Sequence, residues 1–309
     1  VTLRFSNTSV RGHWGPFAAA LGEREKLAYI KACGFESRLR ERFHRCKIVE
    51  DNHFMSMDQQ TVALVTGGAR RVGQAIVRDL ASSGFAVAIH CNASREAADR
   101  LAAEIREAGG SAAVVQADLS DMEAVQRIIP EAQGALGPVR LLVNNASVFE
   151  DDAAADPDWD VWDRHFDVHL RAPVALTGQM ASALPEGAAG LAVNIIDQRV
   201  WRLTPRFFSY TLSKSALWTA TQTMAQSFGP RLRVNAIGPG PTLQNDRQDE
   251  GDFRQQQDAL LLRRGPELAE FGATIRYLWE ARSVTGQMIA LDGGQHLAWK
   301  TPDVYGVAE

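Results

Sequence analysis

The sequence predicts an α/β protein, a doubly wound parallel sheet of about seven strands with helices on both faces. Short apolar runs alternate with longer amphipathic stretches from residue 61 to the C-terminal region. The first apolar run passes directly into a glycine-rich turn, Thr66-Gly67-Gly68-Ala69-Arg70-Arg71-Val72-Gly73. With 45% hydrophobic and 23% charged residues, the 309-residue chain can bury the full core such a sheet requires.

The elements follow in order. Strands are expected at 61–66, 85–91, 111–116, 139–144, 190–196, 231–237 and 287–291, and helices at 71–83, 94–109, 120–136, 158–184, 207–229 and 266–280. Right-handed crossovers between parallel strands place ligands at the strands' carboxyl ends. Residues 58–309 are read as one domain. Residues 1–57 differ: ten Lys/Arg against six Asp/Glu give them a net +4, while the rest of the chain is net −8. Short helices are expected there over 17–30 and 39–43. Two readings account for this basic extension. In one, a GTG codon was read as Val1 and the natural start is Met55 or Met57; in the other, the extension docks a partner or a neighbouring subunit. The first is preferred, and six acidic residues disfavour a transit peptide.

Composition narrows the function. A net charge of −4 gives no general argument for nucleic acid or membrane binding. No apolar run approaches the ~20 residues of a membrane span. Cys33, Cys46 and Cys91 have neither metal-ligand nor disulfide-framework spacing, which suits a reducing cytoplasm.

Glycines after a strand let the backbone turn tightly and approach a phosphate, and the following helix offers N–H groups and a positive dipole end. The second strand ends in His90-Cys91-Asn92-Ala93-Ser94, with no acid to hold ribose hydroxyls. Arg70, Arg71, Asn92 and Ser94 can instead donate to a 2′-phosphate, so NADPH is expected over NADH. Downstream, Tyr210 and Lys214 lie four apart on one helix face, thirteen residues after Asp197. A lysine cation one turn from a tyrosine draws the phenol pKa down from its usual value near ~10.

These features resemble the short-chain dehydrogenase/reductase family. The turn resembles its T-G-x-x-x-G-x-G pattern, with Arg71 where the family has its middle glycine. Ala117-Asp118-Leu119, Asn144-Asn145-Ala146-Ser147, Tyr210-x-x-x-Lys214, Asn235-Ala236-Ile237-Gly238-Pro239-Gly240 and Leu291-Asp292-Gly293-Gly294 follow in the family's order. The resemblance covers about residues 60 to 298 and implies a Rossmann-like oxidoreductase. It implies that Gly67, Val72, Gly73, His90, Asp118, Leu119, Asn145, Ala146, Ser147, Lys214, Pro239 and Gly240 join the donors above around the cofactor. Tyr210 would be the proton donor and Lys214 its tuner and ribose ligand. A homodimer or homotetramer is implied as well.

One departure indicates a branch. Where the family carries a serine that donates to a substrate carbonyl, this chain has Asp197. An ionised carboxylate cannot donate; it accepts from ring N–H or amino groups, or relays a proton if its pKa is raised. Pteridine reductases and dihydromonapterin reductases resemble this chain in that substitution, in the basic turn, and in Ser147-Val148-Phe149. The resemblance implies a pterin-like substrate touching Ser147, Phe149, Asp197 and Tyr210, with the ring stacked on Phe149. His169 stands where the family usually has a water-holding asparagine, and a histidine can bind and pass a proton. Polar residues 241–262 are expected to form a substrate loop, with Leu243, Phe253 and Leu260 to Leu262 covering the pocket and Arg247 and Arg254 meeting a polar side chain. Trp201 and Phe207 are candidates for the pocket wall. Two alternatives stand beside the dihydropterin reductase: an NADPH-dependent ketone or 3-oxoacyl thioester reductase, and a non-catalytic NADPH-binding protein.

Overall fold

The computed structural model describes residues 60–244, 248–301 and 304–305. The 1–57 extension, its expected helices, the question of the natural start and Arg247 lie outside the described residues. Seven strands form: β1 (Val62–Val65), β2 (Ala86–Cys91), β3 (Ala112–Gln116), β4 (Val139–Asn144), β5 (Gly190–Ile195), β6 (Leu232–Pro239) and β7 (Met288–Leu291). They make one sheet in the order β3-β2-β1-β4-β5-β6-β7, with every neighbouring pair parallel. The order reverses between β1 and β4, and a crevice forms at the carboxyl ends around such a switch point.

The strands are mostly apolar along both faces because both sheet faces are covered. Val62 and Leu64 pack into one core, and Ala63 and Val65 into the other. Helices α1 (Arg71–Ser82), α2 (Arg95–Glu107) and α8 (Leu268–Glu280) bury Ile76, Leu101 and Phe271 against the second face. The first face is covered by α3 (Met122–Leu136), α5 (Ala172–Ala183) and part of α6 (Phe208–Phe228). Local signals fix the starts: the Asp121 carboxylate accepts from the Glu123 and Ala124 amides, and Glu267 and Glu270 form a capping box.

Two elements depart from expectation. The single helix expected over 158–184 is α4 (Trp159–Phe166), then a π-helical turn Asp167–Arg171, then α5. Its apolar periodicity does not reveal the wider turn, which carries His169; such turns concentrate at functional sites. The 241–262 segment contains a short helix, α7 (Glu250–Asp258), with no buried residue. Without an apolar stripe, the sequence pattern had nothing to mark it as a helix.

Candidate active site

A cleft of about 850 Å³ opens at the carboxyl end of the sheet. Its floor is a lashing between the β1 turn and the end of β4. Thr66 Oγ1 accepts from the Asn145 and Ala146 amides at 2.9 and 3.0 Å, while Asn145 Nδ2 donates to the Thr66 and Gly67 carbonyls at 2.9 and 3.2 Å. The backbones approach so closely that only glycine fits. A Cβ on Gly67 would lie 2.9 Å from Ala146 Cα, and one on Gly73 would overlap the Gly67 carbonyl and come within 2.6 Å of Asn145 Nδ2.

The sequence-predicted cofactor residues converge on this cleft. Gly67, Arg70, Arg71, Val72 and Gly73 line it after β1, His90 and Asn92 after β2, and Asp118 and Leu119 after β3. Asn145, Ala146 and Ser147, then Lys214, then Pro239 and Gly240 complete the wall. Ser94 does not line it: it is the N-cap of α2, beyond the end of β2. The fit to a dinucleotide is good. A glycine turn closed by backbone contact, the start of α1 and a β2 end without an acid share one cleft.

Two of these residues also make contacts within the fold. Arg71 has φ +52°, the left-handed backbone that the resemblance assigns to glycine, at a cost of roughly 1–2 kcal/mol. Its guanidinium donates to the Leu243 and Gln244 carbonyls at 3.3 and 3.0 Å, tying the turn to the 241–262 segment. Both bonds come from Nη2, so Arg71, Arg70 and Asn92 all stand as candidate 2′-phosphate donors at the cleft. His90 is fully buried, accepting from the Gly67 amide on Nδ1 (3.2 Å) and facing the Ala117 carbonyl with Nε2 (3.1 Å). Since Nδ1 accepts, Nε2 carries the proton and donates to Ala117. Burial pushes the ring down to about 4, against the opposing pull of Ala117 and Asp118. His90 therefore shapes the phosphate turn as a neutral ring, with both nitrogens spent on backbone.

The catalytic candidates meet where β5 ends and α6 begins. Tyr210 Oη donates to Asp197 Oδ2 at 3.0 Å. Asp197 Oδ1 accepts from the Arg199 amide at 2.8 Å, capping the 3₁₀ turn Gln198–Val200, so the carboxylate is turn cap and site residue at once. Burial raises the Asp197 pKa, opposed by the Arg199 amide and guanidinium, Tyr210 and Lys214. Burial, then the charge and hydrogen bond of Asp197, push Tyr210 well above its ordinary value. This corrects the expectation that Lys214 draws the phenol down. Lys214 Nζ donates to the Ile195 carbonyl at 2.9 Å, and burial lowers its ammonium to about 8.

A second cleft of about 600 Å³ shares Arg71, Phe149, Asp197 and Gly240 with the first. Phe149 stacks on Phe207 with centroids 4.3 Å apart and meets Tyr210 edge-on at 4.7 Å. Arg199 lies over both phenylalanine rings, at 5.4 and 5.0 Å, and 4.0 Å from Asp197 Oδ2. Leu243, Phe253 and Phe207 line this cleft as expected. Arg254 does not; it pairs with Glu250 on the exposed side of α7. Trp201 packs against Trp218 and His296 instead. Sequence reasoning missed Arg199, since nothing two residues from an aspartate announces a cation placed over two distant rings. It also missed His165, whose spacing of four from His169 was visible.

Residues 61–254 match the family model of the short chain dehydrogenases. The chain is 30% identical to a dihydromonapterin reductase of Klebsiella pneumoniae over 79% of its own length and 100% of that protein. FolM alternative dihydrofolate reductase 1 of Brucella suis, solved in complex with NADP, is 61% identical, with 79% of this chain and 98% of that one covered at a TM-score of 0.78. A blue fluorescent protein from a metagenomic library, solved with NADPH, is 32% identical over 76% of this chain and 98% of that one, at a TM-score of 0.71. With the glycine turn, the asparagine brace and the Tyr210–Lys214 pair in one cleft, this chain belongs to the short-chain dehydrogenase/reductase family.

Proposed function

We propose that this protein is an NADPH-dependent reductase that converts a dihydropterin-like substrate to its tetrahydro form. The observation that carries the reading is the Asp197 carboxylate accepting from Tyr210, at the position where ketone-reducing relatives place a donating serine. The names of the Klebsiella and Brucella proteins support it independently. Arg70, Arg71 and Asn92, with no acid beside them, would hold the 2′-phosphate. NADPH, once bound, supplies the hydride.

The remaining work falls to the chain. Phe149, stacked on Phe207 and edge-on to Tyr210, would set one apolar wall of the site for a flat heterocycle. Asp197 keeps lone pairs beyond those used by Arg199 and Tyr210, enough to accept from a ring N–H or amino group. Tyr210 holds its proton against Asp197 and gives it up at the substrate ring as that ring becomes more basic. Lys214 is a cation at neutral pH, placed by Ile195 to meet ribose hydroxyls. The reading extends to a homodimer or homotetramer, supported by exposed Trp159, Val174 and Leu212 on α4, α5 and α6. Among the described residues no helix is long and apolar enough to cross a membrane. A cytoplasmic location rests on the cysteine pattern.

The test is NADPH oxidation with dihydrobiopterin, dihydromonapterin, dihydrofolate and a 3-oxoacyl thioester. Turnover confined to the pterin and folate substrates is expected. Turnover of the thioester alone would make this a ketone-type reductase, and tight NADPH binding without any turnover would make it a binding protein.

A further inference from the structure

The 147–152 loop, which carries Ser147 and Phe149, is held from behind by two buried histidines that the mechanism above does not use. His165 ends α4 and His169 lies in the π-helical turn, and their rings stack at 5.4 Å and 17°. His169 Nε2 accepts from the Val148 amide at 3.1 Å, and His165 Nε2 accepts from the Glu150 amide at 3.3 Å. At the other edge, His169 Nδ1 meets Ser213 Oγ at 2.9 Å and His165 Nδ1 meets Ser209 Oγ at 2.7 Å. Each ring therefore bridges one loop amide to one serine of α6, the helix of Tyr210.

Two periodicities coincide to make this possible. Residues two apart in extended chain are separated by about 6.6 Å and point the same way, which serves the 148 and 150 amides. Residues four apart on a helix are about 6 Å apart on one face, which serves both the histidine pair and the serine pair. Because both Nε2 atoms accept a backbone N–H, both protons sit on Nδ1 and are donated to the serines. Ser213 passes its own proton to the Tyr210 carbonyl at 2.8 Å. Both ring nitrogens are thereby used in each histidine, and both rings lie edge-on to Tyr210, at 5.8 and 5.3 Å. The Ser147 hydroxyl also reaches His169 Nε2, at 3.1 Å.

We propose that His165 and His169 are positioning residues, a two-rung clamp that fixes the Phe149 loop in register with Tyr210, and not proton carriers. The inference rests on the proposed pterin site for what the clamp positions, but the clamp itself can be read without substrate.

The experiment compares His165→Leu and His169→Leu with His165→Gln and His169→Gln, since a glutamine Oε1 can replace the Nε2 acceptor. Amide exchange at Val148 and Glu150 is followed together with NADPH affinity, kcat and KM for a dihydropterin. The leucine variants are expected to exchange those amides at least ~10-fold faster and to raise KM about tenfold, roughly the loss of one such hydrogen bond. NADPH affinity and kcat should stay within about twofold, and the glutamine variants should recover most of the loss. Unchanged exchange at 148 and 150, or a kcat that collapses equally in leucine and glutamine variants at constant KM, overturns the proposal. If a leucine variant does not fold, Ser209→Ala and Ser213→Ala remove the anchor while keeping the rings, with the same expectations. Wild-type protein inert toward every dihydropterin would refute the functional reading, while the exchange result would still decide the clamp.

Discussion

The proposed cofactor wall and the proposed substrate wall, in adjoining clefts, are built by different means. The cofactor wall is made by backbone: glycines whose Cβ would overlap neighbouring main chain, and the Thr66–Asn145 lashing across the switch point. The substrate wall is made by side chains from distant segments, with Phe149, Asp197, Arg199 and Phe207 brought together by a loop, a 3₁₀ turn and a helix start. Backbone constraints of the first kind tolerate one residue type each. Those of the second kind are set by packing and charge, so a single change such as serine to aspartate can redirect chemistry without disturbing the fold.

Changes that break the first wall should be the most severe. Gly73→Ala puts a methyl into the Gly67 carbonyl and Asn145 amide, so NADPH binding measured by fluorescence titration should fall more than ~100-fold, or ~3 kcal/mol. The second wall should fail in catalysis and not in cofactor binding. Tyr210→Phe removes the proton while keeping the ring, so kcat should drop ~10²–10⁴-fold at near-normal NADPH affinity.

The pH profile sharpens the contrast further. Lys214 is charged below about 8 and neutral above it, so kcat/KM should fall on the alkaline side with an apparent pKa near that value. Lys214→Arg should displace this limb upward in the initial-rate profile. On the cofactor side, His90 is neutral in the fold, with a pKa of about 4 against ~6.5 for an unfolded histidine. Its folded value is depressed, so its contribution is complete above pH ~6.5 and is lost as pH falls toward 4, by up to about 3 kcal/mol. Melting temperatures at pH 7 and pH 5 should show a smaller acid loss in His90→Asn than in the wild type.

The same contrast explains what the sequence could and could not reveal. Each strand is a mostly apolar run, and Gly67 and Gly73 stand where a Cβ would press on neighbouring main chain, so sheet and glycine turn were both legible. Tyr210, Lys214 and Asp197 were legible because their spacing is local. The direction of the Tyr210 shift was not, because it depends on how deeply the ring is buried and on the hydrogen bond it makes to Asp197. The contacts of Arg71 with the Leu243 and Gln244 carbonyls were not legible either, because those carbonyls lie more than 170 residues away in sequence. The π-helical turn escaped notice because an added residue within a helix leaves the surrounding apolar pattern almost intact.

The central claim is that Asp197 makes this a pterin site. Its most direct test is kcat/KM of wild type and Asp197→Ser on a dihydropterin and on a 3-oxoacyl thioester, with NADPH affinity measured alongside. A loss of at least ~100-fold on the dihydropterin at unchanged NADPH affinity, with thioester turnover unchanged or improved, is the predicted result. A serine variant that reduces the dihydropterin as well as the wild type would contradict it.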